Sequence, residues 1–157
     1  MKASQSHTSN SLIPKFPNSN QKNKTMENEQ RGIETLEVWK MAMQLGEIVY
    51  KIVQRWDYFN KRGLGAQWTD STDSVANNIA EGYGRYFYAE NRNFCFYSRG
   101  SLYESKTQCM KAFSRKLMTD EEYKDLKDRY EALGKKLNNY INYIEEEAKK
   151  NPKRNKP

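Results

Sequence analysis

Two glycines, Gly82 and Gly84, flank Tyr83 in the stretch NNIAEGYGR, and an aromatic, arginine-laden run follows without a break. Such a pair can cradle a phosphate with its backbone, or it can turn one helix into the next. A phosphate loop follows a strand, opens a helix and carries a third glycine or a Gly-Lys-Ser/Thr ending. Here the residues before Gly82 are spaced as in a helix rather than a strand, and no third glycine or Gly-Lys-Ser/Thr follows. The pair therefore reads as a helix corner, with glycine supplying the left-handed residue of a C-cap. Downstream, Arg85, Arg92, Arg99 and Lys106 recur every seven residues, and Phe96, Tyr103 and Met110 recur at the same interval beside them. On a helix that repeat drifts by only about 20° per heptad, so the two sets share a stripe. Three roles fit it. The cations can hold phosphates while the rings stack on bases. Arginine stems packed on rings can form a subunit interface around Phe96, Tyr103 and Met110. The plainest role is a solvated basic face with scattered aromatics.

The usual groups of catalysis are scarce. The only histidine, His7, lies in a polar N-terminal segment, and the two cysteines, Cys95 and Cys109, are fourteen residues apart. On a helix that separation is about 21 Å, well beyond the roughly 7 Å between Cα atoms that a disulfide spans. Both read as small buried apolar residues. A zinc site or a Ser-His or Cys-His nucleophile has no residues to draw on. Of the acids, Glu81 is placed to pair with Arg85 four residues on, and Glu104 reads as a partner for an arginine inside the bundle. The expectation is a protein with no enzymatic activity, metal or cofactor.

Over 157 residues the formal net charge is +7, and the isoelectric point of about 9.3 points toward nucleic acid. Its distribution matters more than its sum. Residues 1–31 carry five basic and two acidic side chains, and residues 151–157 carry three basic and none acidic. The central segment 32–150 is left at +1, within which residues 85–118 hold +5. With 30% charged residues and a mean hydropathy of −1.08, part of the chain is expected not to fold. Residues 1–31, with Pro14 and Pro17, and residues 151–157 read as disordered basic tails around one domain, 32–150. Met26 opens MENEQRGIETLEVWK, which reads as an alternative start to Met1. No window holds the roughly 20 apolar residues of a membrane span, and the N-terminus lacks a signal-peptide core. A soluble, cytoplasmic protein is expected.

Four amphipathic helices must position the stripe. The first is expected to start after Thr35 as N-cap and to run to about Asn60, burying Val38, Ala42, Leu45, Val49, Ile52 and Trp56. The second, about Leu64 to Gly82, would bury Leu64, Trp68, Val75 and Ile79, with Ser71, Thr72, Ala76 and Ala80 small enough for a close neighbour. The third, about Tyr88 to Lys116, would hold Phe87, Phe94, Cys95, Ser98, Leu102, Cys109 and Phe113 deepest. The fourth opens with a capping box, Thr119 and Glu122. Tyr123, Leu126, Tyr130, Leu133, Leu137, Tyr140 and Ile144 then step by threes and fours. Short connections between four helices predict an all-α, antiparallel up-and-down bundle.

Four blocks carry a resemblance: LEVWKMAMQLGEIVYKIV (Leu36–Val53), GLGAQ (Gly63–Gln67), NNIAEGYGR (Asn77–Arg85) and SRGSLYE (Ser98–Glu104). Together they resemble the four-helix-bundle proteins encoded in 23S ribosomal RNA intervening sequences, which are related to the accessory variability determinants of diversity-generating retroelements. The likeness spans about Leu36 to Ile144. It implies an up-and-down bundle assembled as a homopentameric ring. For the retroelement branch it also implies nucleic acid and a reverse transcriptase as partners. The chain departs from the family pattern at Thr69, Asp70 and Asp73, where a basic pair and an apolar run are usual. It departs again at Ala76 or Asn77, one of which stands where a proline usually precedes NIAEG. Taken with the seven-residue stripe, the expected function is a non-enzymatic, self-assembling bundle that offers RNA or DNA a basic surface at Arg85, Arg92, Arg99 and Lys106. The alternative it leaves open is a scaffold that docks on a reverse transcriptase.

Overall fold

A computed structural model describes residues 32–155. The tail assigned to residues 1–31, including Met1 and Met26, lies outside the described residues. Four long helices fill the described chain, α1 (Glu37–Gln54), α2 (Ala66–Tyr83), α3 (Tyr88–Ser114) and α4 (Asp120–Lys150), with no strand among the described residues. Each packs on the next, most extensively α2 on α3, and α4 closes against α1. The result is an up-and-down four-helix bundle.

In α1 the stripe Val38, Ala42, Leu45, Val49 and Ile52 is buried, joined by Gly46 and Val53. The start differs from the capping expected at Thr35. Ile33–Thr35 forms a 3-10 turn, the Thr35 hydroxyl donates back to the Gly32 carbonyl at 2.8 Å, and α1 begins after Leu36 without a side-chain cap. The end differs as well. Helix α1 stops at Gln54, and Asp57 caps a short turn, Tyr58–Asn60, by accepting from the Asn60 amide at 3.1 Å. A π-helical segment, Lys61–Gly65, then runs straight into α2. Gly63 and Gly65 thus lie inside helical turns rather than breaking them. A Cβ on Gly65 would stand 2.7 Å from Val53 Cγ1, so close approach to α1 explains that glycine.

The corner between α2 and α3 lies at Gly82 and Gly84, but its cause differs from the left-handed cap expected. Gly84 caps α2 in the right-handed region (φ −75°, ψ −7°), and no described glycine has positive φ. Gly82 is buried within α2, where a Cβ would meet the Asn91 carbonyl and Phe94 Cβ at 2.9 Å. The left-handed residue is instead Lys116, φ 57°. There α3 closes in a Schellman motif, with the Lys116 amide donating to the Phe113 carbonyl at 2.9 Å and the Leu117 amide to the Ala112 carbonyl at 3.0 Å.

The inner face of α3 is Cys95, Ser98, Leu102, Ser105, Gln108, Cys109 and Ala112. Phe87, Phe94 and Phe113, expected among the deepest residues, are only half-buried. The α2–α3 approach leaves room for small side chains at its centre, so the rings move to the rim. There Phe113 stacks on Tyr123, with centroids 4.0 Å apart. Burial pushes the thiols of Cys95 and Cys109 up to about 12, and both are free.

Helix α4 carries the capping box as read, with the Glu122 amide donating to Thr119 Oγ1 at 3.2 Å and the Thr119 amide to Glu122 Oε2 at 3.0 Å. Leu126, Tyr130, Leu133, Leu137 and Ile144 are buried with Ile141 and Ala148, while Tyr123 and Tyr140 pack at the edge of the core. Beyond α4, Pro152–Arg154 forms a 3-10 turn within the segment read as a basic tail. Arg154 donates twice to the Tyr86 carbonyl, at 3.1 and 3.2 Å, and lies over the Tyr86 and Tyr88 rings.

A closed loop of hydroxyls crosses the core between α2, α3 and α4. Thr72 Oγ1 donates to the Trp68 carbonyl at 2.6 Å. Its single proton is then spent, so Ser105 donates to Thr72 (2.5 Å), Tyr130 donates to Ser105 (2.6 Å), and Trp68 Nε1 donates to Tyr130 (2.9 Å). All of these side chains are buried.

Candidate functional site

The seven-residue series of cations does not stay together. Arg85 sits in the corner before α3 rather than on the helix. It bonds Glu81, approaches Glu90 at 4.0 Å and covers the Phe94 ring at 4.8 Å. Arg92 faces α4, with Nη1 3.7 Å from Glu145 Oε1. Both charges are thus met by carboxylates of the same chain. Arg99 instead donates to a neutral amide, Asn138 Oδ1, at 3.4 Å, and its guanidinium lies 5.0 Å from the centroid of the Phe96 ring. Lys106 makes no ion pair among the described residues.

Arg99 and Lys106 line a cleft of about 220 Å³ between α3 and α4. Leu102, Tyr130 and Gly134 lie deepest in it, and Tyr103, Lys135, Glu131 and Asn138 complete its rim. Its one carboxylate, Glu131, accepts from Lys135 at 2.8 Å. That bond and the Lys135 charge hold the Glu131 carboxyl below its usual range, with smaller help from Lys106 and Lys127. Three cations therefore surround one carboxylate, and two of the three have no acid bonded to them. The cleft can hold an anion with an attached apolar or planar group.

Of the proposed interface residues, Phe96 is 37% exposed and partly covered by Arg99, whereas Tyr103 is 66% and Met110 53% exposed. Tyr103 belongs to the cleft and Met110 does not. The α4 contribution was missed in the sequence, because Glu131, Lys135 and Asn138 look like ordinary polar positions of a heptad. Their spacing of four and then three is the signal that places them on one flank of α4. A different electrostatic character marks the flank of α1 and α2, where Asp73 lies near Glu47 and Asp70. Burial first, and then those two charges, raise its carboxyl above the usual range.

Among the described residues no group of three or more His, Cys, Asp or Glu side chains is arranged to hold a metal, and no helix is long and apolar enough to cross a membrane. No curated protein matches the chain. Residues 34–139 match the family model described as 23S rRNA-intervening sequence protein.

Proposed function

The chain belongs to the 23S rRNA-intervening sequence protein family, and from that premise we propose a non-enzymatic, cytoplasmic, self-assembling bundle that holds RNA or DNA on its α3–α4 face. The observation that carries the reading is the pair Arg99 and Lys106, to which no carboxylate among the described residues is bonded, on a cleft edged by the exposed ring of Tyr103. A phosphate chain seated there releases counterions, so binding weakens steeply with salt. Arg85 and Arg92, already met by Glu81, Glu90 and Glu145, contribute less. Self-association rests on Phe96 and Met110, apolar surface outside the cleft that a monomer would leave in water, while Tyr103, of the same stripe, belongs to the cleft. The homopentameric ring is taken from the family resemblance. It would repeat the cleft around one axis.

The test is fluorescence anisotropy of the full chain with labelled RNA and DNA across a salt series, with light scattering on the same samples. Arg99→Glu with Lys106→Glu should lower the slope of log affinity against log salt by about 1.4–1.8, the loss of two phosphate contacts. Arg85→Glu with Arg92→Glu should change it much less. A native protein that assembles but binds neither RNA nor DNA at low salt refutes the reading and favours a protein-docking scaffold, such as a partner of a reverse transcriptase. A monomer mass at micromolar concentration refutes self-assembly.

A further inference from the structure

Gly134 lies in the middle of the 31-residue helix α4, where glycine is the least favourable residue after proline. Glycine is usually explained there by conformation or by close packing. Neither applies, since no described glycine has positive φ and a Cβ on Gly134 would meet only Leu102 Cδ2, at an ordinary 3.8 Å. Gly63 and Gly100 also face open space, but neither lines the cleft. The effect left for Gly134 is depth: with Leu102 it makes an apolar floor beneath the cations of the α3–α4 cleft.

We infer that this cleft takes a single unpaired nucleotide of a nucleic-acid strand, its base on the floor formed by Leu102 and Gly134 and its phosphate on Arg99 and Lys106. The inference rests on the nucleic-acid reading above and adds to it a preference for single strands. The volume of about 220 Å³ is below the roughly 300–1,000 Å³ of clefts for drug-sized ligands and suits one ring system. The walls match a base in kind: an apolar floor, the Tyr103 ring at the rim, and Asn138 and Glu131 at the edge for polar atoms of the base. Arg99 and Lys106, with no carboxylate among the described residues bonded to them, sit where the attached phosphate would lie. A paired base cannot enter, because the duplex keeps it in the stack.

The experiment titrates the full chain with a labelled single-stranded oligonucleotide and with its duplex, for the native protein, Gly134→Leu and Gly134→Ala. Leucine fills the floor without altering charge, and both substitutions favour the helix. Thermal melting and light scattering establish that each variant is folded and assembled as the native protein is. Native protein should prefer the single strand. Gly134→Leu should lose about tenfold more on the single strand than on the duplex, the scale of one base's stacking. Gly134→Ala should move the same way to a smaller degree, and it carries the test if the leucine variant does not fold. Equal native binding of strand and duplex, or folded variants that bind the strand as the native protein does, overturns the cleft and leaves the nucleic-acid reading standing. Binding of neither overturns both. Displacement of the strand by an equal concentration of free mononucleotide assigns the cleft to free nucleotides and overturns the strand proposal.

Discussion

Replacing Tyr130 with phenylalanine tests whether the hydroxyl loop holds the helices together. Tyr130 is 3% exposed and Trp68 is fully buried. The substitution keeps the ring and its packing, so it leaves almost no cavity. It removes the acceptor of Trp68 Nε1 and the donor to Ser105, while Ser105 keeps its bond to Thr72. One buried N–H is then left without its partner, which costs about 1–3 kcal/mol. The expected loss is therefore about 2 kcal/mol, a melting temperature lower by roughly 5–10 °C for a domain of this size. Urea titration is the measurement, at fixed protein concentration because assembly contributes to apparent stability. The midpoint should fall while the slope stays constant. A loss below about 0.5 kcal/mol would refute the reasoning, since a surface-like net hydrogen bond is all that would then be at stake.

Two further outcomes follow from single residues. Lys116→Gly should stabilise the protein by about 0.5–1 kcal/mol in thermal melts. A left-handed L-residue costs about 1–2 kcal/mol, and the added freedom of the unfolded chain cancels part of the gain. Asp73→Asn should stabilise at neutral pH by about 0.5 kcal/mol, discounted for its exposure. Native Asp73 keeps its proton to a higher pH than the unfolded chain, so its contribution is harmless below its ordinary value of 3.8. It turns unfavourable as pH rises through the raised folded value. Melts of the two proteins should therefore coincide in acid and separate at pH 7.

The sequence exposed those parts of the bundle that local rules govern. Val38, Ala42, Leu45, Val49 and Ile52 repeat along one helix face, and Thr119 with Glu122 satisfies a rule written over four residues. What it hid depends on neighbours far along the chain. Gly65 looks like a helix breaker until Val53 is seen against it, and Gly82 looks like a cap until Asn91 and Phe94 are. The hydroxyl loop was invisible because Thr72, Ser105 and Tyr130 come from three helices, and no spacing within one helix pairs their hydroxyls. The cationic repeat was legible as a pattern but not as a site. Arg85 falls short of the start of α3, Glu145 meets Arg92, and the far wall of the cleft comes from α4.

The two thiols give the bundle its own clock. Cys95 and Cys109 are 0% and 1% exposed, near opposite ends of α3, and at pH 7 almost no thiolate forms at either. An alkylating reagent can reach them only when the surrounding helices part, since the thiolate is the reacting species. Modification rates at the two positions therefore count openings of the native state without any introduced label. Equal rates would mean that α3 is released in one cooperative event. A faster Cys95 would mean that the end beside the Gly82 corner parts first.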